Sequence, residues 1–188
     1  MQKYFGALTI LLLLGLVLAR VSMLKKRGIK AMHFGGTDKS DFLIPPFALF
    51  YFYTVFANAF GFWTPGGTAF FQSGIAGWVG VFSCLAGLIL MYWSLVSFGN
   101  SFRVGIDQNL PDKLVTTGVF EVTRNPIYLA FALVLLGEFL IFPNWVALIF
   151  LIVGVVLFHR QVLREERFLR GYYGQFYEDY CGRVKRYL

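Results

Sequence analysis

Two short polar signatures hold the side chains of this sequence that could do chemistry. The first reads Leu114-Val115-x-x-Gly118-x-Phe120-x-x-x-Arg124-Asn125-Pro126-x-Tyr128. The second reads Glu165-Glu166-x-x-Leu169, followed by Gly174-x-x-Tyr177-x-x-Tyr180-x-x-x-Val184-x-Arg186. Pro126 suits the first position of a helix, where its missing N–H costs nothing, and Asn125 before it is a good N-cap residue type. A helix starting there points free N–H groups and a positive dipole end at its surroundings, which favours an anion. Arg124 adds a permanent charge and a planar fork suited to a carboxylate. Glu165 and Glu166 could accept hydrogen bonds from hydroxyl groups such as those of a ribose. A second reading stands beside this one: Arg124 and Tyr128 as interfacial anchors, and Glu166 with Arg170 as a solvated i, i+4 pair. Tyr172, Tyr173, Phe176, Tyr177 and Tyr180 are expected mainly as interfacial anchors, with roofing of a flat ring as the alternative.

The elements that must position these residues are apolar helices. The chain is 57% hydrophobic and 14% charged, against roughly a quarter charged for a soluble domain. No Asp, Glu, Lys or Arg occurs between Phe42 and Phe102, and from Pro126 to Phe158 the only charged residue is Glu138. A spanning helix needs about 20 apolar residues, so the sequence describes an all-α integral membrane protein. Five spans are expected: Tyr4–Ala19, Phe42–Trp63, Ser73–Phe98, Pro126–Phe142 and Asn144–Arg160. The last two form a hairpin turned at Pro143-Asn144, and a hairpin brings both signatures to one membrane face. Of the 17 basic residues, all but Lys3 fall on one side of this arrangement. The positive-inside rule then places the N-terminus outside and both signatures in the cytosol. Residues 1–98 are expected as three N-terminal spans with a basic loop, and 99–188 as a core ending in a cytosolic cofactor-binding segment. In the third span Ala76 with Gly80, and Ser83 with Gly87, have the spacing of close helix packing.

Other chemistries find little support. The net charge of +7 comes from residues flanking the apolar runs and not from one exposed face, which argues against nucleic acid. Cys84 and Cys181 offer neither a disulfide framework nor metal-ligand spacing. His33 and His159 lack acidic neighbours, and no dinucleotide fingerprint, phosphate-binding loop or nucleophile elbow is present. Glu138 is an acid inside a span, a functional hypothesis by default. Its place near the far end of a short helix favours a structural role.

Taken together, the two signatures resemble those of the isoprenylcysteine carboxyl methyltransferases and the related phospholipid N-methyltransferases. These are membrane enzymes that use S-adenosylmethionine. The resemblance covers roughly residues 98 to 188. The family pattern is Leu-x-x-x-Gly-x-Tyr, Arg-His-Pro-x-Tyr, a membrane hairpin, Glu-Glu-x-x-Leu and Gly-x-x-Tyr-x-x-Tyr, in that order. Here Phe120 replaces the usual Tyr, Asn125 the usual His, and Lys185 the Pro before the final Arg. Asn125 can donate a hydrogen bond but cannot shuttle a proton. The resemblance implies that Leu114, Val115, Gly118, Arg124, Asn125, Pro126, Tyr128 and Leu129 line a pocket for S-adenosylmethionine, with Glu165 and Glu166 binding its polar groups from the opposite side.

The acceptor implied is lipophilic: an isoprenylcysteine-like carboxylate or a phospholipid amine, reaching the site from the surrounding lipids. A carboxylate acceptor needs no base, and Arg160 or Arg164 would position it. An amine acceptor must lose a proton, to Glu166 or Tyr128. No metal is implied. The rival readings are an NADPH-dependent membrane reductase of the sterol reductase kind, whose members share the Arg-His-Pro-x-Tyr run, and a non-enzymatic membrane scaffold.

Overall fold

The computed structural model describes residues 1–29, 44–64, 68–102 and 114–188. Lys30, His33, Lys39, Phe42, Arg103 and Lys113, all used in the sequence reading, lie outside the described residues. Among the described residues every regular element is helical: α1 (Gln2–Lys26), α2 (Ile44–Phe60), α3 (Gly74–Phe98), α4 (Pro126–Ile141), α5 (Trp145–Tyr173) and α6 (Gln175–Arg183). Short 3-10 turns follow at Gly99–Ser101 and Gly118–Glu121. Three of these helices, α1, α3 with its 3-10 extension, and α5, are long and apolar enough to cross a membrane, and α4 is a shorter apolar helix. On that length and composition the protein is an integral membrane protein.

The ends of the helices follow local chemistry. Ser73 caps α3, its Oγ accepting from Ala76 N at 3.2 Å, and Asn144 caps α5, its Oδ1 accepting from Ala147 N at 2.8 Å. Both α1 and α5 outrun their expected spans. Helix α1 continues through Arg20 to Lys26, where Arg20 donates to the Gly99 carbonyl and Arg27 donates to Asn100 Oδ1 at 2.7 Å. These bonds tie the basic segment to the end of α3. Helix α5 does not stop at Arg160. The stretch beyond it lacks Gly and Pro until Gly171 and is rich in strong helix formers, so it continues to Tyr173 and breaks at Gly174, which adopts φ +53°. The uncharged part of α5 ends with Phe158, and about 20 Å of helix continues beyond it.

The most extensive packing joins α3 to α4. Within lipid, association depends on close fit and not on burial of apolar surface from water, and small residues provide that fit here. A Cβ added at Gly80 would lie 2.6 Å from the Gly137 carbonyl oxygen, and one at Gly87 would lie 2.8 Å from that of Ala130. Ser83 Oγ donates to the Leu133 carbonyl at 2.7 Å. The Gly80 and Gly87 spacing is therefore a packing device. Gly137→Ala should force α3 and α4 apart, because its Cβ would meet Cys84 Sγ at 2.5 Å and the Gly80 oxygen at 2.6 Å. Overpacking of this kind costs about 1–3 kcal/mol. Thermal unfolding in detergent should show a clear loss for Gly137→Ala and none for Gly15→Ala, whose added methyl meets nothing within 4 Å.

Helix α1 packs on α3, α2 and α4, burying Ile10 and Leu13. Phe150 of α5 sits between Phe47 and Tyr51 of α2, with ring centroids 4.5 and 4.9 Å away. The bundle thereby holds the start of α4 beside the projecting half of α5.

Candidate functional site

At the start of α4 the structure brings the two signatures together. Pro126 occupies the first turn of the helix. Asn125 stands at the N-cap position, yet its side chain makes no capping bond. Its amide instead donates to Glu166 Oε1 at 3.3 Å and to the Arg186 carbonyl at 3.1 Å. The expected side-chain cap is absent, and the N-terminal turn of α4 has no side-chain acceptor of its own.

Glu166 is the hub of this arrangement. It is 1% exposed. Oε1 accepts from Arg124 Nη2 at 3.1 Å, Asn125 Nδ2 at 3.3 Å and Arg186 Nε at 3.1 Å, and Oε2 accepts from Arg186 Nη2 at 2.9 Å. Burial by itself would raise the pKa of this carboxyl. The Arg186 hydrogen bonds, the charges of Arg124 and Arg186, and the Asn125 amide outweigh it and hold Glu166 below the usual carboxylate value. A carboxylate with this many donors is kept ionised and has little capacity left for another partner. The expected i, i+4 partner, Arg170, pairs instead with Glu178 of α6 at 2.9 Å on the surface.

The chain end closes the cluster. Arg124 N donates to the Lys185 carbonyl at 3.1 Å, and Thr123 Oγ1 donates to the Arg186 carbonyl at 3.2 Å. Residues 184–186 thus run alongside residues 123–125 and deliver the Arg186 fork to Glu166. Thr123 and Arg186 join this cluster, although the sequence reading assigned neither a role. Arg186 lay inside the second signature, which was the available signal, whereas Thr123 gave none.

Arg124 is nearly enclosed, its side chain 8% exposed. Nη2 is committed to Glu166, and Nη1 donates to the Cys181 carbonyl at 3.3 Å. Nε is buried and has no partner among the described residues. The Arg124 fork expected to await a carboxylate is largely occupied by the protein, leaving one nitrogen.

One residue earlier on α5, Glu165 points elsewhere. Its Oε1 accepts from Tyr128 Oη at 2.5 Å and from Gln161 Nε2 at 3.1 Å. Burial raises its pKa against the lowering effect of these two hydrogen bonds. The ring of Tyr128 faces Phe158, and Phe158 stacks with Phe131 at 5.4 Å, so this second pair adjoins an aromatic seam between α4 and α5. Tyr187 Oη meets His159 Nδ1 at 2.8 Å.

An apolar cluster supports both pairs. Val119, Phe120, Tyr177 and Tyr180 are buried together, with Leu114, Val115, Leu169 and Val184 packed around them. Tyr180 Oη donates to the Phe120 carbonyl at 2.6 Å. Phe120 packs edge-on to Phe98 at 4.5 Å, an environment in which a phenol hydroxyl is not needed. Gly118 adopts φ +67°, and a Cβ there would meet Ser97 Oγ at 2.5 Å. Its backbone must therefore be glycine for the turn to lie against α3. Tyr177 and Tyr180 are core residues and neither anchors nor a roof, whereas Tyr172 and Phe176 are exposed as anchors would be.

Of the expected site residues, the structure gathers Arg124, Asn125, Pro126 and Glu166 into one cluster and Tyr128 with Glu165 into its neighbour. Leu114 and Val115 belong to the supporting apolar cluster, and Leu129 is a half-buried residue of the first turn of α4. Arg160 is exposed and Arg164 half-buried on the projecting part of α5.

Residues 75–176 match the model of the family described as phospholipid methyltransferase. The chain belongs to the phospholipid methyltransferase family. It is also similar to three curated relatives. Over 106 residues it is 33% identical to the protein-S-isoprenylcysteine O-methyltransferase of Schizosaccharomyces pombe, covering 55% of this chain and 44% of the relative. Over 110 residues it is 30% identical to a probable protein-S-isoprenylcysteine O-methyltransferase of Oryza sativa subsp. indica, covering 57% and 58%. Over 108 residues it is 30% identical to protein-S-isoprenylcysteine O-methyltransferase B of Arabidopsis thaliana, covering 56% and 55%. The chain spans about half the length of the curated relatives it matches. No solved structure matches it. The family match begins within α3 and takes in both α4 and α5, so it includes most of the residues built into the site.

Proposed function

We propose that this protein is a membrane methyltransferase that moves the methyl group of S-adenosylmethionine onto a lipophilic acceptor. The observation that carries the reading is the meeting of Arg124-Asn125-Pro126 with Glu165-Glu166 at one end of the bundle, in a chain of the phospholipid methyltransferase family. The family match supports this reading over the NADPH-dependent reductase and the scaffold.

The residues present fit such a cofactor. The buried Nε of Arg124, without a partner among the described residues, and the start of α4, which has no side-chain cap, offer donors for its carboxylate. Glu165, with one oxygen engaged by Tyr128 and Gln161, offers an acceptor for its hydroxyls. When bound, S-adenosylmethionine supplies a methyl group already activated on a sulfonium.

The protein's part is then to align the acceptor and exclude water. Glu166 serves as the brace that orients Arg124 and Asn125, as its saturated carboxylate suits it to positioning. Glu165 and Tyr128 stand where an acceptor's proton could be taken if the acceptor is an amine. For a carboxylate acceptor no base is required, and Arg164 or Arg160 would hold its charge. The names of the relatives favour an isoprenylcysteine-like acceptor. The aromatic seam of Tyr128, Phe131 and Phe158 lies beside Glu165 and suits the entry of a lipid chain from the bilayer.

Five spans, with the N-terminus outside and the site in the cytosol, complete the proposal. A reporter fused after Leu188 is expected in the cytosol and one inserted at Gly66 outside. Both on the same side would overturn that topology. For the activity, transfer of labelled methyl from S-adenosylmethionine into a lipid extract should give a labelled, lipid-soluble product, lost in Arg124→Ala. Absence of any labelled lipid, with binding of NADPH instead, would overturn the methyltransferase reading.

A further inference from the structure

The opposite end of the bundle holds a second polar feature that methyl transfer does not use. Glu138, in the last turn of α4, is 5% exposed. Among the described residues the only donor recorded at its carboxylate is the Cys84 thiol, 4.0 Å from Oε1. No cationic side chain pairs with it there. The packing keeps room for this carboxyl: a Cβ at Gly6 of α1 would lie 2.5 Å from Glu138 Oε2, so α1 passes it as bare backbone.

Glu138 lines a small pocket with Asn58 of α2, Lys3 of α1, and the apolar side chains of Val55, Ile141 and Phe142. Asn58 Oδ1 is buried and also without a partner among the described residues. Two under-satisfied acceptors therefore line one small, partly open pocket. In a low-dielectric interior each is costly unless a donor meets it. A group that suits both acceptors is a donor, carries positive charge to match a carboxylate, and is small, since the space holds on the order of one water-sized group.

We propose that this pocket binds the protonated primary amine of an aminophospholipid headgroup at that membrane face. Glu138 and Asn58 accept its N–H groups, and Lys3 at the rim stands near the adjoining phosphate. An ammonium has the N–H donors and the size required. A trimethylammonium has no N–H and is too large, so the site discriminates between ethanolamine and choline headgroups. The same chemistry could come from within the chain, as the ammonium of Lys3.

Native mass spectrometry of the protein released from mixed micelles tests this directly, with equimolar ethanolamine and choline phospholipids of identical acyl chains. The wild type should retain the ethanolamine lipid about 10-fold or more over the choline lipid, the ratio expected from a charge-assisted hydrogen bond. Glu138→Gln, which keeps the shape and removes the charge, should abolish the preference, and Lys3→Ala should weaken retention while leaving the preference in place. Equal retention of both lipids by the wild type would overturn the proposal without recourse to any variant. A preference that arises only in Lys3→Ala would also overturn it, assigning the pocket to the Lys3 ammonium. Methyl transfer at the other end of the bundle is unaffected by either outcome.

Discussion

Glu166→Ala is expected to be the most damaging single substitution at the end of the bundle where the two signatures meet. The change removes the acceptor of Arg124, Asn125 and Arg186 together, and it leaves the nearly enclosed Arg124 and the partly exposed Arg186 without their carboxylate. Removing one partner of a buried ion pair costs about 3–5 kcal/mol. That loss should appear as a lowered unfolding temperature in detergent and as protease sensitivity near the C-terminus, because residues 184–186 are held to residues 123–125 through this cluster. Methyl transfer should fall to background. Glu166→Gln should recover part of the stability, since the amide oxygen still accepts, but none of the charge compensation. The pH dependence follows from the sign of the shift. The Glu166 pKa is lowered in the folded protein, so its contribution is fully present above the ordinary carboxylate pKa of 4.5 and is lost as pH falls through the lower folded value. Wild-type stability should therefore fall in acid more steeply than that of Glu166→Gln. An Ala variant as stable and active as the wild type would show that the cluster is incidental.

The second large effect concerns Arg124 and Glu165. No hydrogen bond joins them: Arg124 serves Glu166 and Cys181, whereas Glu165 serves Tyr128 and Gln161. Arg124→Ala leaves Glu166 with both bonds from Arg186 and the bond from Asn125, so the fold should persist. Loss of a charge-assisted hydrogen bond to the cofactor should weaken binding by about 1.5–3 kcal/mol, or roughly 10- to 150-fold. Lys at this position should rescue only in part, lacking the second nitrogen and the planar fork. Glu165→Ala should lower turnover by a comparable or larger factor, because misplacing the methyl slows the chemical step itself. If a bound cofactor bridges the two residues, the double variant should lose much less than the sum of the single losses. Because no hydrogen bond joins the two residues, strong non-additivity would point to the ligand as their link. A double-mutant cycle on methyl-transfer rate measures it, and small additive losses would leave both residues with structural roles only.

Composition and the order of the motifs determined the class of the protein. Long uncharged runs admit only membrane helices, since every backbone group must be satisfied within the segment. The Pro143-Asn144 turn required α4 and α5 to return to one face. The glycine spacing on α3 announced the close contact with α4, and Arg124-Asn125-Pro126 with Glu165-Glu166 singled out residues that the fold gathers at one end of the bundle. What the sequence left undecided was the pairing. Glu165 and Glu166 are chemically identical neighbours, and only their angular separation on α5 sends one to Tyr128 and the other to Arg124 and Arg186. Arg170 was a reasonable helical partner for Glu166 by spacing, but Arg124 and Arg186 across the cluster hold that carboxylate and leave Arg170 to Glu178. Asn125 has the composition of a cap, yet the carboxylate within its reach draws the amide away from the helix. Tyr177 and Tyr180 look like interfacial aromatics in sequence and become core once α6 folds back over Phe120. Glu138 stands near the far end of a short helix in sequence, and only the convergence of α1, α2 and α4 shows that it is buried there. In each case the deciding contact joins residues far apart in the chain, and the energetic choice among equivalent donors and acceptors exists only once the helices have packed.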